Sequence, residues 1–193
     1  MKLNNTKKKT SKGLLIYIMG LPGTGKSTIS KILCQMFDNQ LGLEFELIDM
    51  DDIVKKMKNE DIPFSYTLKG RKRRYWFIAT LAHERGKLGG NSIIAATAPL
   101  IEFRRYAKKL FKKNYFEIYL YCKKETYFKR DKKRTAQGKK SVYNKKRHVP
   151  GVDIPFENPF TSHLQINTDE NSAEDSAKLI LNFVKNSVDL TVL

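Results

Sequence analysis

The chain has 193 residues, enough for one domain with a proper core, and carries 37 Lys and Arg against 20 Asp and Glu, a formal net charge of +17. Two cysteines, Cys34 and Cys122, lie in apolar segments without metal-type spacing, which excludes a disulfide scaffold and reads as two reduced core thiols. No apolar run reaches membrane-spanning length and the first residues lack a secretory apolar core, so the expected location is cytoplasmic, with no membrane partner.

Residues 1–12, MKLNNTKKKTSK, are basic, acid-free and polar. They read as a disordered solvated tail before a domain over 13–186, with a second tail at 187–193; an organelle address is the sharper alternative. Leu14 to Met19 is a short uncharged apolar run, as expected for a strand buried on both faces. Gly20, four residues, Gly25, Lys26 and Ser27 then give the G-x-x-x-x-G-K-[ST] spacing of a P-loop. After Thr28, Ile29, Ile32, Leu33 and Met36 recur at helical spacing. Glycines let backbone N–H groups turn inward around phosphate oxygens, and the helix start adds partial positive charge there. In such a loop Lys26 reaches the β- and γ-phosphates of a nucleotide and the Ser27 hydroxyl is placed to ligate Mg²⁺.

FELID, Phe45 to Asp49, reads as a second buried strand and MDDIVKKM as the start of a short helix. If Asp49 and Asp51 alternate on an extended chain, both carboxylates face one locus, one for Mg²⁺ and one for an attacking hydroxyl. The competing reading makes Asp51 and Asp52 helix caps. From Tyr66 to Arg85, Leu68, Tyr75, Ile78, Ala79 and Ala82 share a helical face, and KLGGN stops that helix. Ser92 to Ala98 is a third strand, and Pro99 opens a helix to about Lys112. Tyr115 to Cys122 is a fourth strand, followed by a helix from Glu125 to about Lys133. Ser162 to Asn167 is a fifth strand, and Ser172 to Asp175 looks like a capping box opening a last helix through Phe183. Strands alternating with helices predict an α/β fold: a parallel sheet covered on both faces, with ligands beyond the carboxyl ends of its strands.

Residues 104–147 hold 18 Lys and Arg against 3 acids, whereas 151–193 hold 2 against 7. The stretch 134–150 is aperiodic and basic, and reads as a loop. Such a block suits nucleic acid, small polyanionic nucleotides at a kinase lid, or simple solvation; no base-reading motif supports the first.

Taken together, these motifs resemble the adenylylsulfate kinases, P-loop enzymes that transfer the ATP γ-phosphate to the ribose 3′-hydroxyl of adenylylsulfate. GLPGTGKST is similar to the family's G-L-S-G-[AS]-G-K-[ST]-T, DMDD at Asp49 to Asp52 to D-G-D-N, and DIPFS at Asp61 to Ser65 to D-L-G-F-S. YFEIYLYC with KRD at Lys129 to Asp131, GVDIPFENP at Gly151 to Pro159, and INTD at Ile166 to Asp169 resemble further family segments. The resemblance implies a P-loop NTPase-type three-layer fold, with a five-stranded parallel sheet and a basic lid loop over about 134–150. It implies that Gly20, Leu21, Pro22, Gly23, Thr24, Gly25, Lys26, Ser27 and Thr28 hold ATP phosphates, with Arg130 against the adenine and Lys133 in the lid. Lys26, Asp49 and Asp51 would be catalytic, Ser27 and Asp49 serving Mg²⁺ and Asp51 the acceptor hydroxyl. Phe64, Lys69, Lys72, Arg74, Arg104 and Arg147 would meet the acceptor. A homodimer is implied as well.

The departures fall on the acceptor side. The family's arginine shortly after D-G-D-N is Val54 here, and its D-R-x-E-N is Leu68 to Lys72. The serine of its I-S-P is Ala98, its second base-stacking aromatic falls at Val149, and the lid is about two residues longer. A kinase of this build acting on another small anionic nucleotide-like acceptor is the alternative; a non-catalytic nucleic-acid-binding P-loop protein is the remote one.

Overall fold

The computed structural model describes residues 13–138, 141–143 and 149–188. Both expected tails are at least partly outside the described residues: all of 1–12, and 189–193 at the other end. Five strands form one parallel sheet: β1 (Leu15–Met19), β2 (Phe45–Asp49), β3 (Asn91–Ala96), β4 (Tyr115–Tyr121) and β5 (Leu164–Asn167), in the order β2-β3-β1-β4-β5. Ile16 pairs with Ile93 on one side and Phe116 on the other, so β1 is central.

Six α-helices connect them: α1 (Lys26–Leu41), α2 (Met50–Asn59), α3 (Leu68–Lys87), α4 (Ile101–Phe111), α5 (Lys124–Ala136) and α6 (Ala173–Ser187). The period-two alternation of a strand divides β1 between two cores. Leu14, Ile16 and Ile18 pack with Leu33 and Phe37 of α1 and Ile180 and Val184 of α6. Leu15, Tyr17 and Met19 pack with Ile78 and Ala82 of α3 and Phe103 of α4. Both faces of the sheet are therefore covered, which is why Leu14 to Met19 carries no polar residue except the Tyr17 hydroxyl. The expected three-layer α/β fold is found.

Four local readings change. Pro99 does not open α4, which starts two residues later at Ile101. Ala98 takes a left-handed φ of 41°, and the Pro99 carbonyl accepts a distant N–H from Glu157, so the proline lies in a turn. α3 starts at Leu68 because the Thr67 hydroxyl caps it, accepting the Gly70 N–H at 3.2 Å. α5 runs to Ala136, three residues into the stretch read as a loop from 134. The fifth strand begins at Leu164, two residues after Ser162. The expected capping box holds: Ser172 Oγ accepts the Asp175 N–H at 3.0 Å. Of the remaining segment, residues 139–140 and 144–148, Arg147 among them, lie outside the described residues.

Candidate active site

The phosphate loop spans the gap between β1 and α1, at the carboxyl end of the central strand. Gly25 is the N-cap of α1 at φ 93°, a left-handed conformation suited to glycine, and makes no side-chain cap bond. The first N–H groups of a helix have no partner within it, and the first turn of α1 holds no acid. At Gly23, with φ 87°, a Cβ would stand 2.8 Å from the Tyr127 Cβ. The loop's carbonyls are tied off. Lys26 Nζ donates to the Gly20 and Leu21 carbonyls, both at 2.9 Å. The Tyr143 hydroxyl donates to the Pro22 carbonyl at 2.6 Å, and Arg130 Nη1 to the Gly23 carbonyl at 3.1 Å. With these carbonyls engaged and no side-chain cap at the helix start, the turn suits an anion.

Burial pushes the Lys26 ammonium down to about 8, against the pull of Asp51 and Asp49 in the other direction. Asp49 is buried at the end of β2, and burial raises its carboxyl above the usual range; the Ser27 side chain and the Asp51 N–H act the other way. Asp49 is also the N-cap of α2, accepting the Asp51 N–H at 2.9 Å. This corrects two readings. The chain turns helical at Met50, so Asp49 and Asp51 do not alternate on an extended strand, and the cap is Asp49 rather than Asp51 or Asp52. Asp51 and Asp49 nonetheless both act electrostatically on Lys26, so the acids address one locus by another route. Among the described residues no group of three or more His, Cys, Asp or Glu could hold a metal. One carboxylate and one hydroxyl are a donor set that fits Mg²⁺, which keeps several waters and substrate oxygens.

Arg130 is a junction. Besides the Gly23 carbonyl, it donates to Thr168 Oγ1 at 3.0 Å and to the Thr168 carbonyl at 2.7 Å, joining α5, the phosphate loop and the turn after β5. Lys133 is exposed on the last turns of α5. Tyr127 stacks on Tyr143, ring centroids 5.1 Å apart. Buried Asp131 accepts from the Val142 N–H at 3.1 Å and pairs with Arg134 at 2.6 Å.

Phe64 stands edge-on to Tyr66 at 5.3 Å, and the Arg74 guanidinium lies 5.5 Å from both ring centres, with Lys58 Nζ at 5.8 and 6.0 Å. Arg74 is buried and donates to the Ser65 carbonyl at 2.5 Å; burial first, then the neighbouring Arg71, lowers its affinity for the proton. Arg104 is 3% exposed, with Nη1 2.8 Å from Met19 Sδ. Lys69 is exposed at the start of α3. Lys72 is committed across to α4, paired with Glu102 at 2.7 Å and lying over Trp76. Val149 is buried. The structure thus gathers Lys26, Ser27, Asp49, Asp51 and Arg130 around the loop, and Phe64 with Arg74 beside α3. Sequence reasoning missed Tyr143, Thr168, Tyr66, Arg71 and Glu157. Thr168 and Glu157 lay inside quoted motifs and were legible; Tyr143 sits in an aperiodic stretch that signals nothing.

A family model for adenylylsulphate kinase matches residues 12–167. The chain belongs to the adenylylsulphate kinase family. An adenylyl-sulfate kinase of Bacillus pumilus is 31% identical over 185 residues, covering 92% of this chain and 88% of that one. The solved APS kinase of Mycobacterium tuberculosis in complex with AMPPNP and APS superposes with a TM-score of 0.76 at 19% identity, over 90% of this chain and 98% of its own. A gluconokinase from Sinorhizobium meliloti reaches 0.61 at 14% identity, over 93% and 95% of the two chains. The fold is therefore shared with kinases of different acceptors, and sequence carries the family assignment. Membership makes the chain a kinase, a phosphotransferase with an alcohol group as acceptor. Among the described residues no helix is long and apolar enough to cross a membrane.

Proposed function

We propose that this chain transfers the γ-phosphate of ATP to the 3′-hydroxyl of adenylylsulfate, giving 3′-phosphoadenylylsulfate. One observation carries the reading: the half-buried Lys26 ammonium folds onto its own loop beside Asp49 and Asp51, at a helix start without a side-chain cap. ATP phosphates are what such a turn accepts, and Lys26 exchanges loop carbonyls for β- and γ-oxygens. Ser27 and Asp49 would hold Mg²⁺, which when bound neutralises charge on the phosphate oxygens. Asp51, on the first turn of α2, orients the acceptor hydroxyl and takes its proton. Arg130 holds the loop's shape while its guanidinium flanks the adenine, and Lys133 screens the triphosphate. Phe64, Arg74 and Arg104 position the acceptor, with Lys69 contributing charge from the rim. A homodimer belongs to the same reading and would show by light scattering as twice the chain mass.

A second acceptor class has one observation in its favour. Val149, which the family resemblance puts where a second base-stacking aromatic would fall, is buried, and Lys58 and Arg74 each lie over both the Phe64 and Tyr66 rings. A small nucleotide with more negative charge than adenylylsulfate suits that arrangement. Purified protein with Mg²⁺ and ATP, offered adenylylsulfate beside a panel of nucleotides, separates the two. Turnover confined to the panel would reject adenylylsulfate as the substrate.

A further inference from the structure

Glu157, in the segment Gly151 to Pro159, meets α4 and the turn before it at three points. The Glu157 N–H donates to the Pro99 carbonyl at 2.8 Å. The Ile101 N–H donates to the Glu157 carboxylate. The Glu157 carbonyl accepts Arg104 Nη2 at 3.4 Å. Leu100, the N-cap of α4, makes no side-chain bond, so a carboxylate 56 residues away in sequence supplies what a local cap would. Its charge is well placed, because the open N–H groups of a helix start favour an anion.

The Glu157 carbonyl also serves Arg104. The guanidinium belongs to the first turn of α4, where the helix dipole opposes a cation, and it is almost wholly buried. Its other hydrogen-bond and ion-pair partners among the described residues are Met19 Sδ at 2.8 Å and the Glu117 carboxylate at 4.0 Å. A thioether is a weak acceptor, and five N–H donors share these few, mostly long contacts. Arg104 therefore keeps donor capacity for an anion, and it does so next to the phosphate loop, since Met19 directly precedes Gly20.

We infer that Glu157 is a positioning residue for acceptor binding: it fixes the start of α4, and with it Arg104, against the segment 151–157. The inference rests on the reading of Arg104 as an acceptor-binding arginine. Glu157 itself is exposed at the surface.

Steady-state kinetics of wild type, Glu157→Ala, Glu157→Gln, Arg104→Lys and the Glu157→Ala/Arg104→Lys double variant test it, at a temperature where circular dichroism shows all five folded. Glu157→Ala is expected to raise KM for adenylylsulfate about tenfold, the scale of a lost charged cap, with KM for ATP within about twofold. Glu157→Gln retains an oxygen for the Ile101 N–H and should recover much of the loss. The double variant should be no worse than Arg104→Lys alone, because both changes act on one guanidinium. Equal changes in both KM values, or effects that multiply in the double variant, would overturn the inference. So would an unchanged KM for adenylylsulfate in Arg104→Lys, which removes its premise. If wild type binds ATP by calorimetry yet turns over only another nucleotide, the substrate reading fails instead, and the same five proteins are compared on that nucleotide.

Discussion

The Asp49 carboxylate accepts the Asp51 N–H at 2.9 Å, so the acid that ends β2 also fixes where the second acid begins α2. One side chain thereby has two duties: it starts a helix, and it stands beside Ser27 at the mouth of the phosphate loop. The sheet order places β2 at the edge and β1 two strands away, with only β3 between them. Both acids consequently reach the field of Lys26.

Asp49→Asn separates those duties. Asparagine caps a helix about as well as aspartate, so α2 should persist. Burial raises the Asp49 carboxyl, so its contribution to stability is full below the ordinary carboxylate range and is lost as pH rises through the folded value. Above that value the wild type carries an ionised group that burial disfavours. We expect Asp49→Asn to melt at neutral pH no lower than wild type, while turnover falls at least about a hundredfold, the scale of losing an electrostatic contact to the transition state. Calorimetric melting and initial rates check both halves; a marked drop in Tm would show that the carboxylate is chiefly structural.

Lys26 gives a pH dependence of opposite kind. Its ammonium is lowered to about 8 in the free protein, against 10.5 for an ordinary lysine. Between those values the folded free protein binds fewer protons than the unfolded chain, so this group makes the fold more stable as pH rises from about 8 to 10.5. Phosphates beside the ammonium restore the proton. We expect ATP binding near pH 8.5 to take up protons and ATP affinity to fall as pH rises above about 8. Titration calorimetry in two buffers of different ionisation enthalpy measures the uptake. Equal uptake by Lys26→Met would assign it to another group.

Arg130 should act on the donor alone. Its guanidinium holds the Gly23 carbonyl and both oxygens of Thr168, whereas Phe64 and Arg74 sit on α3 and the loop before it. We expect Arg130→Ala to raise KM for ATP about tenfold or more, the size of a lost charged hydrogen bond or two, with KM for the acceptor little changed. Arg130→Lys should rescue poorly, because a point charge cannot bridge the three oxygens. An equal rise in both KM values would contradict this division.

Much of this was legible in the chain because β1 and the phosphate loop obey local rules. An uncharged run, fixed glycine spacing and a helical stripe each have one structural solution, and Leu14 to Ile29 fell where expected. Asp49 was placed correctly at a strand end but given the wrong geometry. The helix start at Met50 was legible in MDDIVKKM; what was missed is that such a start makes Asp49 the N-cap and rules out an extended alternation of Asp49 and Asp51. Pro99 misled because proline suits both a first helical turn and a preceding loop; what decided was Glu157, far away in sequence, bonding the Pro99 carbonyl and the Ile101 N–H. Tyr143 was invisible for the same reason: its hydroxyl bond to Pro22 spans 121 residues. Acceptor-side charges such as Lys72 could be counted in sequence, but not their partners, and Lys72 turned out to pair with Glu102.

Transfer from γ-labelled ATP to adenylylsulfate, with Mg²⁺ and the purified full chain, tests the central claim most directly when run beside Lys26→Ala and Asp51→Asn. We expect label on the 3′-oxygen of the product with wild type, none above background with Lys26→Ala, and with Asp51→Asn a rate lower by about a hundredfold or more while calorimetry still shows ATP bound. Wild-type protein that binds ATP but leaves adenylylsulfate unlabelled, or an Asp51→Asn variant as fast as wild type, would contradict the account.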